Sequence, residues 1–253
     1  MINKDKSKHC HLCTLIKDTN SSKETIFHKL YGSSQIKHNN FFIQFNGLYI
    51  YPDPYPITHG HTLIVPSEHL LSFIHVKDYS DTSNSIQTLN KQFGHNYILF
   101  EHGTGKVNHK TITCGNSIIH AHLHFIPIYS NSKQIDYKKM AEDFSAGKNT
   151  FIILTGIKQD NLAKIYSIVE QIVGNYPYVL LYESKTQKLA TGVGKGNPSI
   201  KSQYLREMVA IHLYGNNAFW DWKTQHQHAS IQTTLTKRIA YWITRINSNK
   251  IIS

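Results

Sequence analysis

The sequence predicts an α+β fold, on three observations. Short apolar or alternating runs recur through the chain at strand length. Two of them flank an Asn-Gly pair, which signals a tight hairpin and therefore antiparallel pairing. Between and after the strands, apolar residues recur at helical spacing. Strands and helices mixed in this way, with hairpins, fit an antiparallel sheet with flanking helices.

Taken in order, Phe41 to Phe45 and Leu48 to Tyr51 read as strands joined by Asn46-Gly47. The rigid run Pro52-Asp53-Pro54-Tyr55-Pro56 cannot sit in a central strand. Thr62 to Val65 is the next strand. Ile86, Leu89 and Phe93 place a helix over roughly Asp78 to Phe93. Tyr97 to Phe100 and the alternating His120 to Ile128 are strands. Past Tyr129 the pattern changes. Phe151 to Leu154 reads as a strand, and Asp160 is placed to cap a helix carrying Leu162, Ile165, Val169 and Ile172. Val179 to Tyr182 and Leu189 to Val193 read as paired strands, and Gly192 to Pro198 as a loop. Leu205, Met208 and Val209 mark one more helix, and Ile231, Leu235, Ile239, Trp242 and Ile246 mark the last. The expected division is a first unit over residues 1–129 and an α/β extension over 130–253.

The chain has 253 residues, 40% of them hydrophobic, enough to bury a substantial core. The polar start lacks the apolar segment of a secretory signal. The longest apolar runs fall short of a membrane span. A soluble, cytoplasmic protein is the default expectation. Three cysteines, an odd count, argue against a disulfide framework, and Cys10-His11-Leu12-Cys13 suggests a metal site or a redox pair. The net charge is +11. From Lys185 onward, ten Lys or Arg stand against two acids, a balance of +8. Such a surface attracts phosphates, nucleic acid or acidic membranes without choosing among them, or is simply solvated.

The most informative stretch is Cys114-Gly115-Asn116-Ser117-Ile118-Ile119-His120-Ala121-His122-Leu123-His124-Phe125-Ile126-Pro127. On a strand, residues two apart share a face, so the three imidazoles would project together while Ala121, Leu123 and Phe125 pack behind. A three-histidine metal site and an exposed polar face both fit the triple alone.

The flanking residues resemble the histidine triad superfamily. The segment Gly115-Asn116-Ser117-x-x-His120-x-His122-x-His124-x-x-Pro127 is close to the family's hallmark, and a second family block runs from Gly60-His61-Thr62 to Ser67-Glu68-His69. The resemblance covers roughly Cys10 to Pro127. It implies the histidine-triad fold and attack by His122 on a nucleoside phosphate, giving a covalent nucleotidyl-histidine. It also implies that His124 donates to a phosphate oxygen, that Asn116 and Ser117 contact phosphate or leaving group, and that the backbone near His120 sets the tautomer of His122. Asp53, eight residues before His61, stands where relatives hold a ribose. A turn-forming Asp is the plain alternative. Tyr51 is expected beside the base. Cys10, Cys13, His69 and His120 match the structural zinc site of some members, a Cys₂His₂ set that suits tetrahedral zinc.

His124 as third histidine implies hydrolysis to a nucleoside monophosphate, from a dinucleoside polyphosphate or a nucleotide phosphoramidate. A nucleotidyltransferase or phosphorylase, and a protein that processes nucleic-acid ends with its basic half, stay open as alternatives. Relatives often form homodimers, though no stripe of this sequence marks a dimer face. The connection Thr104 to Thr113 is longer than in compact relatives and carries Lys106, His109 and Lys110. It reads either as a polyphosphate contact or as a solvated loop. Cys114 reads as a packed residue. Trp220 and Trp222 read as anchors of the C-terminal half or as stacking surfaces for a base or sugar.

Overall fold

A computed structural model describes residues 10–18, 43–94, 96–112, 118–129, 134–146, 149–158, 161–194, 201–215, 221 and 229–247. The strands are β1 (Ile43–Phe45), β2 (Leu48–Pro52), β3 (Thr62–Pro66), β4 (Tyr97–Gly103), β5 (Gly105–Val107), β6 (Lys110–Ile112), β7 (Leu123–Pro127), β8 (Thr150–Leu154), β9 (Tyr178–Glu183) and β10 (Lys188–Val193). The helices are α1 (His11–Asp18), α2 (Ser80–Phe93), α3 (Tyr137–Ala146), α4 (Leu162–Val173), α5 (Tyr204–Tyr214) and α6 (Ala229–Asn247), with a 3₁₀ turn over Phe73–His75.

Eight strands form one sheet in the order β1-β2-β3-β7-β4-β9-β10-β8. Every pairing in it is antiparallel. The α+β expectation therefore holds, as does the hairpin at Asn46-Gly47, whose φ values of 38° and 87° are those an Asn-Gly turn supplies. The expected boundary near residue 129 falls between β7 and α3. The strands on its two sides share one sheet, since β4 pairs with β9 over six residues from Ile98↔Glu183 to Gly103↔Tyr178.

Helices cover both faces, which is why β2, β3, β4, β7 and β9 are buried at every position. One face packs Ile50, Ile64, Leu99, Phe125, Leu180 and Leu189 against α2, α4 and Trp242 of α6. The other face carries two separate clusters. Tyr49, Tyr51, Leu63 and Val65 pack on α1 and on Ile239 of α6. Ile98, Phe100, Ile126, Val179 and Leu181 pack on α3 and α5. A single rung, Tyr51–Leu63–His124–Phe100–Leu181, crosses from one cluster to the other. His124 thus stands between the two patches of helix cover.

Three details depart from the sequence reading. The strand expected over His120 to Ile128 begins only at Leu123, so His120 and His122 precede it and their side chains diverge. The cap of α4 is Asn161, whose side chain accepts from the Lys164 N–H at 2.8 Å. The long connection after Phe100 is the β5–β6 hairpin, closed by Asn108 and His109 at φ 48° and 64°. Both turn residues lie in the left-handed region that such a two-residue turn requires. The last residue of β4, Gly103, makes room for the Tyr178 ring, which a Cβ there would meet at 2.0 Å. No described helix is long and apolar enough to cross a membrane.

Candidate active site

The site is built on the β2–β3 hairpin, the residues leading into β7, and α5. Pro52 and Thr62 are the last paired residues of the hairpin. The next rung is Asp53 and His61, joined by the Asp53 N–H to the His61 carbonyl at 3.1 Å. The eight-residue spacing therefore sets these two side chains next to each other across the mouth of the hairpin. The prolines between them hold an Asx turn, in which Asp53 Oδ1 accepts from the Tyr55 N–H at 2.7 Å.

A chain of hydrogen bonds then fixes the imidazole tautomers. The Ile57 N–H donates to His61 Nδ1 at 3.1 Å. Neutral His61 must carry its proton on Nε2, which lies 2.9 Å from His124 Nδ1. His124 Nδ1 accepts, so the proton of His124 sits on Nε2. His124 is buried and stacks on Phe100, with ring centroids 4.2 Å apart. Burial is the main cause that holds both rings neutral: His61 is pushed down to about 3, and His124 well below the ordinary range.

His122 is oriented the opposite way. Its Nδ1 donates to the His120 carbonyl at 2.7 Å, which leaves Nε2 as a bare lone pair. The ring is partly exposed and lies 5.1 Å from that of His124, edge to face. Desolvation lowers its basicity, and that keeps it unprotonated near neutral pH. One ring thus offers a nucleophilic nitrogen while its neighbour offers an N–H.

His120 serves a different cluster. Its Nε2 donates to the Pro66 carbonyl at 2.9 Å, so its lone pair is on Nδ1. That atom lies 3.6 Å from Cys10 Sγ and 3.4 Å from Cys13 Sγ. Cys13 Sγ is 3.1 Å from His69 Nδ1. All four candidate ligand atoms lie within 4.8 Å of one another. Neighbouring sulfur and nitrogen ligands of a tetrahedral zinc are about 3.5 Å apart, so the set matches a zinc ion in both size and donor type.

The other expected site residues are placed as follows. Asp53 is 4% exposed, and its Oδ2 accepts from Arg206 Nη1 at 2.7 Å. Tyr51 is fully buried in the cluster under α1. Asn116, Ser117, Cys114, Trp220 and Trp222 lie outside the described residues. Within the basic stretch that starts at Lys185, Lys201 pairs with Glu207 on α5. The sequence reading missed Arg206 and its neighbour His102. The only local signal for Arg206 was a buried-looking helix, Leu205-Arg206-x-Met208-Val209, with a cation beside its apolar stripe.

Residues 34–131 match the family model of the HIT domain. Over that span the chain is similar to HIT domains. The matched span holds Asp53, His61, His69 and the histidine triple, while Cys10, Cys13 and Arg206 lie outside it. Among solved structures, the chain is similar to yeast Ap4A phosphorylase Apa2. The complex with Ap4A is 14% identical, with 85% of this chain and 79% of that chain covered and a TM-score of 0.42. The complex with AMP is 16% identical over 70% and 77% of the two chains, with a TM-score of 0.41. A third structure of the same enzyme is 15% identical over 90% and 79%, with a TM-score of 0.43. Likeness at this level speaks to neither substrate nor reaction. A comparison with curated proteins finds no match.

Proposed function

We propose that this protein is a nucleotide hydrolase that works through a nucleotidyl-histidine at His122. The observation that carries the reading is the pair of opposed tautomers: His122 with a bare Nε2, and His124 with its proton on Nε2. In the first step the His122 Nε2 lone pair attacks phosphorus, the N–P bond forms and the P–O bond to the leaving group breaks. His124 Nε2–H donates to a phosphoryl oxygen, where negative charge gathers in the transition state. In the second step water attacks phosphorus, the P–N bond breaks and a nucleoside monophosphate leaves. Asn116 and Ser117 are assigned to phosphate or leaving group on the family pattern alone.

Cys10, Cys13, His69 and His120 are assigned to one zinc ion, which supplies a structural cross-link and no open coordination position. Its place supports the chemistry indirectly, because the carbonyl that orients His122 belongs to the ligand His120. Nothing in the comparisons supports a nucleic-acid partner or a dimer.

Product analysis in oxygen-18 water tests the reaction class. Incorporation of the label into the nucleoside monophosphate is the expected result. No monophosphate in the absence of phosphate, with a nucleoside diphosphate formed only when inorganic phosphate is added, would make the protein a phosphorylase with the same first step.

A further inference from the structure

Helix α5 lies outside the matched HIT span, yet its first turn enters the site. Arg206 is 6% exposed. Its Nη1 donates to Asp53 Oδ2 at 2.7 Å, and its Nη2 donates to the Tyr55 carbonyl at 2.6 Å. The same Asp53 oxygen lies 3.5 Å from His61 Nε2 and 3.6 Å from His124 Nδ1. Asp53 is therefore a second acceptor within reach of the proton that His61 gives to His124. A buried carboxylate without a cation accepts a proton or a hydrogen bond more strongly than an imidazole does. Were His61 to turn its Nε2–H toward Asp53, the hydrogen bond that holds the proton of His124 on Nε2 would be lost. The helix that carries Arg206 is itself seated on the site, since the Leu205 N–H donates to His102 Nε2 at 3.1 Å. His102 is on β4, two residues after the Phe100 that stacks on His124.

We infer that Arg206 is a positioning residue, which engages Asp53 so that the His61 proton goes to His124 and the His124 Nε2–H stays aimed at the phosphate. The C-terminal half then completes the active site. An arginine suits the place because its planar fork spans two acceptors, Asp53 and the Tyr55 carbonyl, where a lysine offers a point charge. The charged and titratable groups that face the His61–His124 pair are Asp53 from the hairpin loop, Arg206 from α5, Arg238 from α6, His102 from β4, and His122. Removing Arg206 leaves Asp53 as the unbalanced charge nearest both rings.

The inference rests on the proposed role of His124, but its first test does not use turnover. Nitrogen-15 spectra of the imidazoles in the full-length protein report each tautomer directly. Wild type should show His124 neutral with its proton on Nε2 between about pH 5 and 8. Arg206→Met should lose that single tautomer, through Nδ1 protonation or exchange. In kinetics, Arg206→Met should lower kcat about ten- to a hundredfold while changing KM by less than about threefold. Adding Asp53→Asn removes the competing charge and should recover about tenfold of that loss. An unchanged tautomer with unchanged kcat, or a double variant no better than Arg206→Met, overturns the inference. If Arg206→Met fails to fold, Arg206→Lys and the double variant decide. Recovery of turnover in the double variant supports the role, and equal loss in both refutes it. A wild type that forms no adduct on His122 would refute the proposed chemistry and leave the tautomer comparison standing.

Discussion

Two clusters in this molecule each join histidines to potential anions, and only one of them has an arginine against it. Cys10, Cys13, His69 and His120 form one; Asp53, His61 and His124 form the other. All seven residues are buried except the half-buried His69, and each cluster is brought together from distant parts of the chain. The second has a cation of its own, because Arg206 Nη1 lies 2.7 Å from the carboxylate. That charge offsets Asp53 and disfavours a metal ion there, although the three side chains also lie within 4.8 Å of one another, and His61 hydrogen-bonds His124. The first brings four lone-pair donors together at zinc spacing. The first cluster could take a cation from outside the chain, whereas the second is offset by a cation of the chain itself.

A third buried anion shows a further solution. Glu101 on β4 accepts from the Phe73 N–H at 2.7 Å, from the Tyr178 hydroxyl at 2.7 Å and from the Tyr166 hydroxyl at 3.1 Å. All three donors are neutral. Burial raises the Glu101 carboxyl from 4.5 to about 7, and the three hydrogen bonds oppose that rise only in part.

The contrast can be broken in order of expected effect. Cys13→Ser, or a strong chelator, should remove about one zinc per chain and lower Tm by about 10 °C or more. Metal analysis beside a thermal melt measures both. The Asp53 cluster should take up no second equivalent, and two zinc ions per chain would mean that Arg206 does not exclude a cation.

Glu101 comes next. Between about pH 4.5 and 7 the folded protein keeps a proton on Glu101 that the unfolded chain has released. Stability from this group is therefore full below the unfolded value and is lost as pH rises through the folded one, by on the order of 3 kcal/mol. Denaturant melts across that range should show the slope in wild type and a flattened slope in Glu101→Gln. An identical slope in both would assign it to another group.

The smallest effect concerns Asp53. With its carboxylate held by Arg206 and by the Asx turn, Asp53→Asn should slow ribonucleotides and 2′,3′-dideoxy analogues by the same factor, about tenfold. A loss confined to ribonucleotides would return this residue to the sugar.

How far the sequence could be read follows from what holds each element. The Asn46-Gly47 hairpin and helices α2, α4 and α6 were legible because local turn chemistry and apolar periodicity set them. The β5–β6 hairpin was not, since Asn108-His109 lacks the glycine that usually marks such a turn. Periodicity placed His120 in a strand-borne triple, and only the family resemblance placed it with the cysteines, whereas the strand starts three residues later. That shift lets one histidine turn to the cysteines while the other two stay at the pocket. Arg206 left almost no trace. Its meaning lies 153 residues away at Asp53, and a pairing so distant in sequence has no local pattern.

The central claim is the covalent step at His122, and one measurement reaches it most directly. Wild-type protein is mixed with a labelled dinucleoside polyphosphate, quenched during turnover, and the modified peptide is mapped. The account predicts a nucleotide on the peptide containing His122, labile to acid and more durable in base. It predicts no adduct and no turnover in His122→Asn, which keeps its zinc. His124→Ala should still form the adduct, about a hundredfold more slowly. Turnover that persists in His122→Asn, or a label on any other residue, contradicts the account.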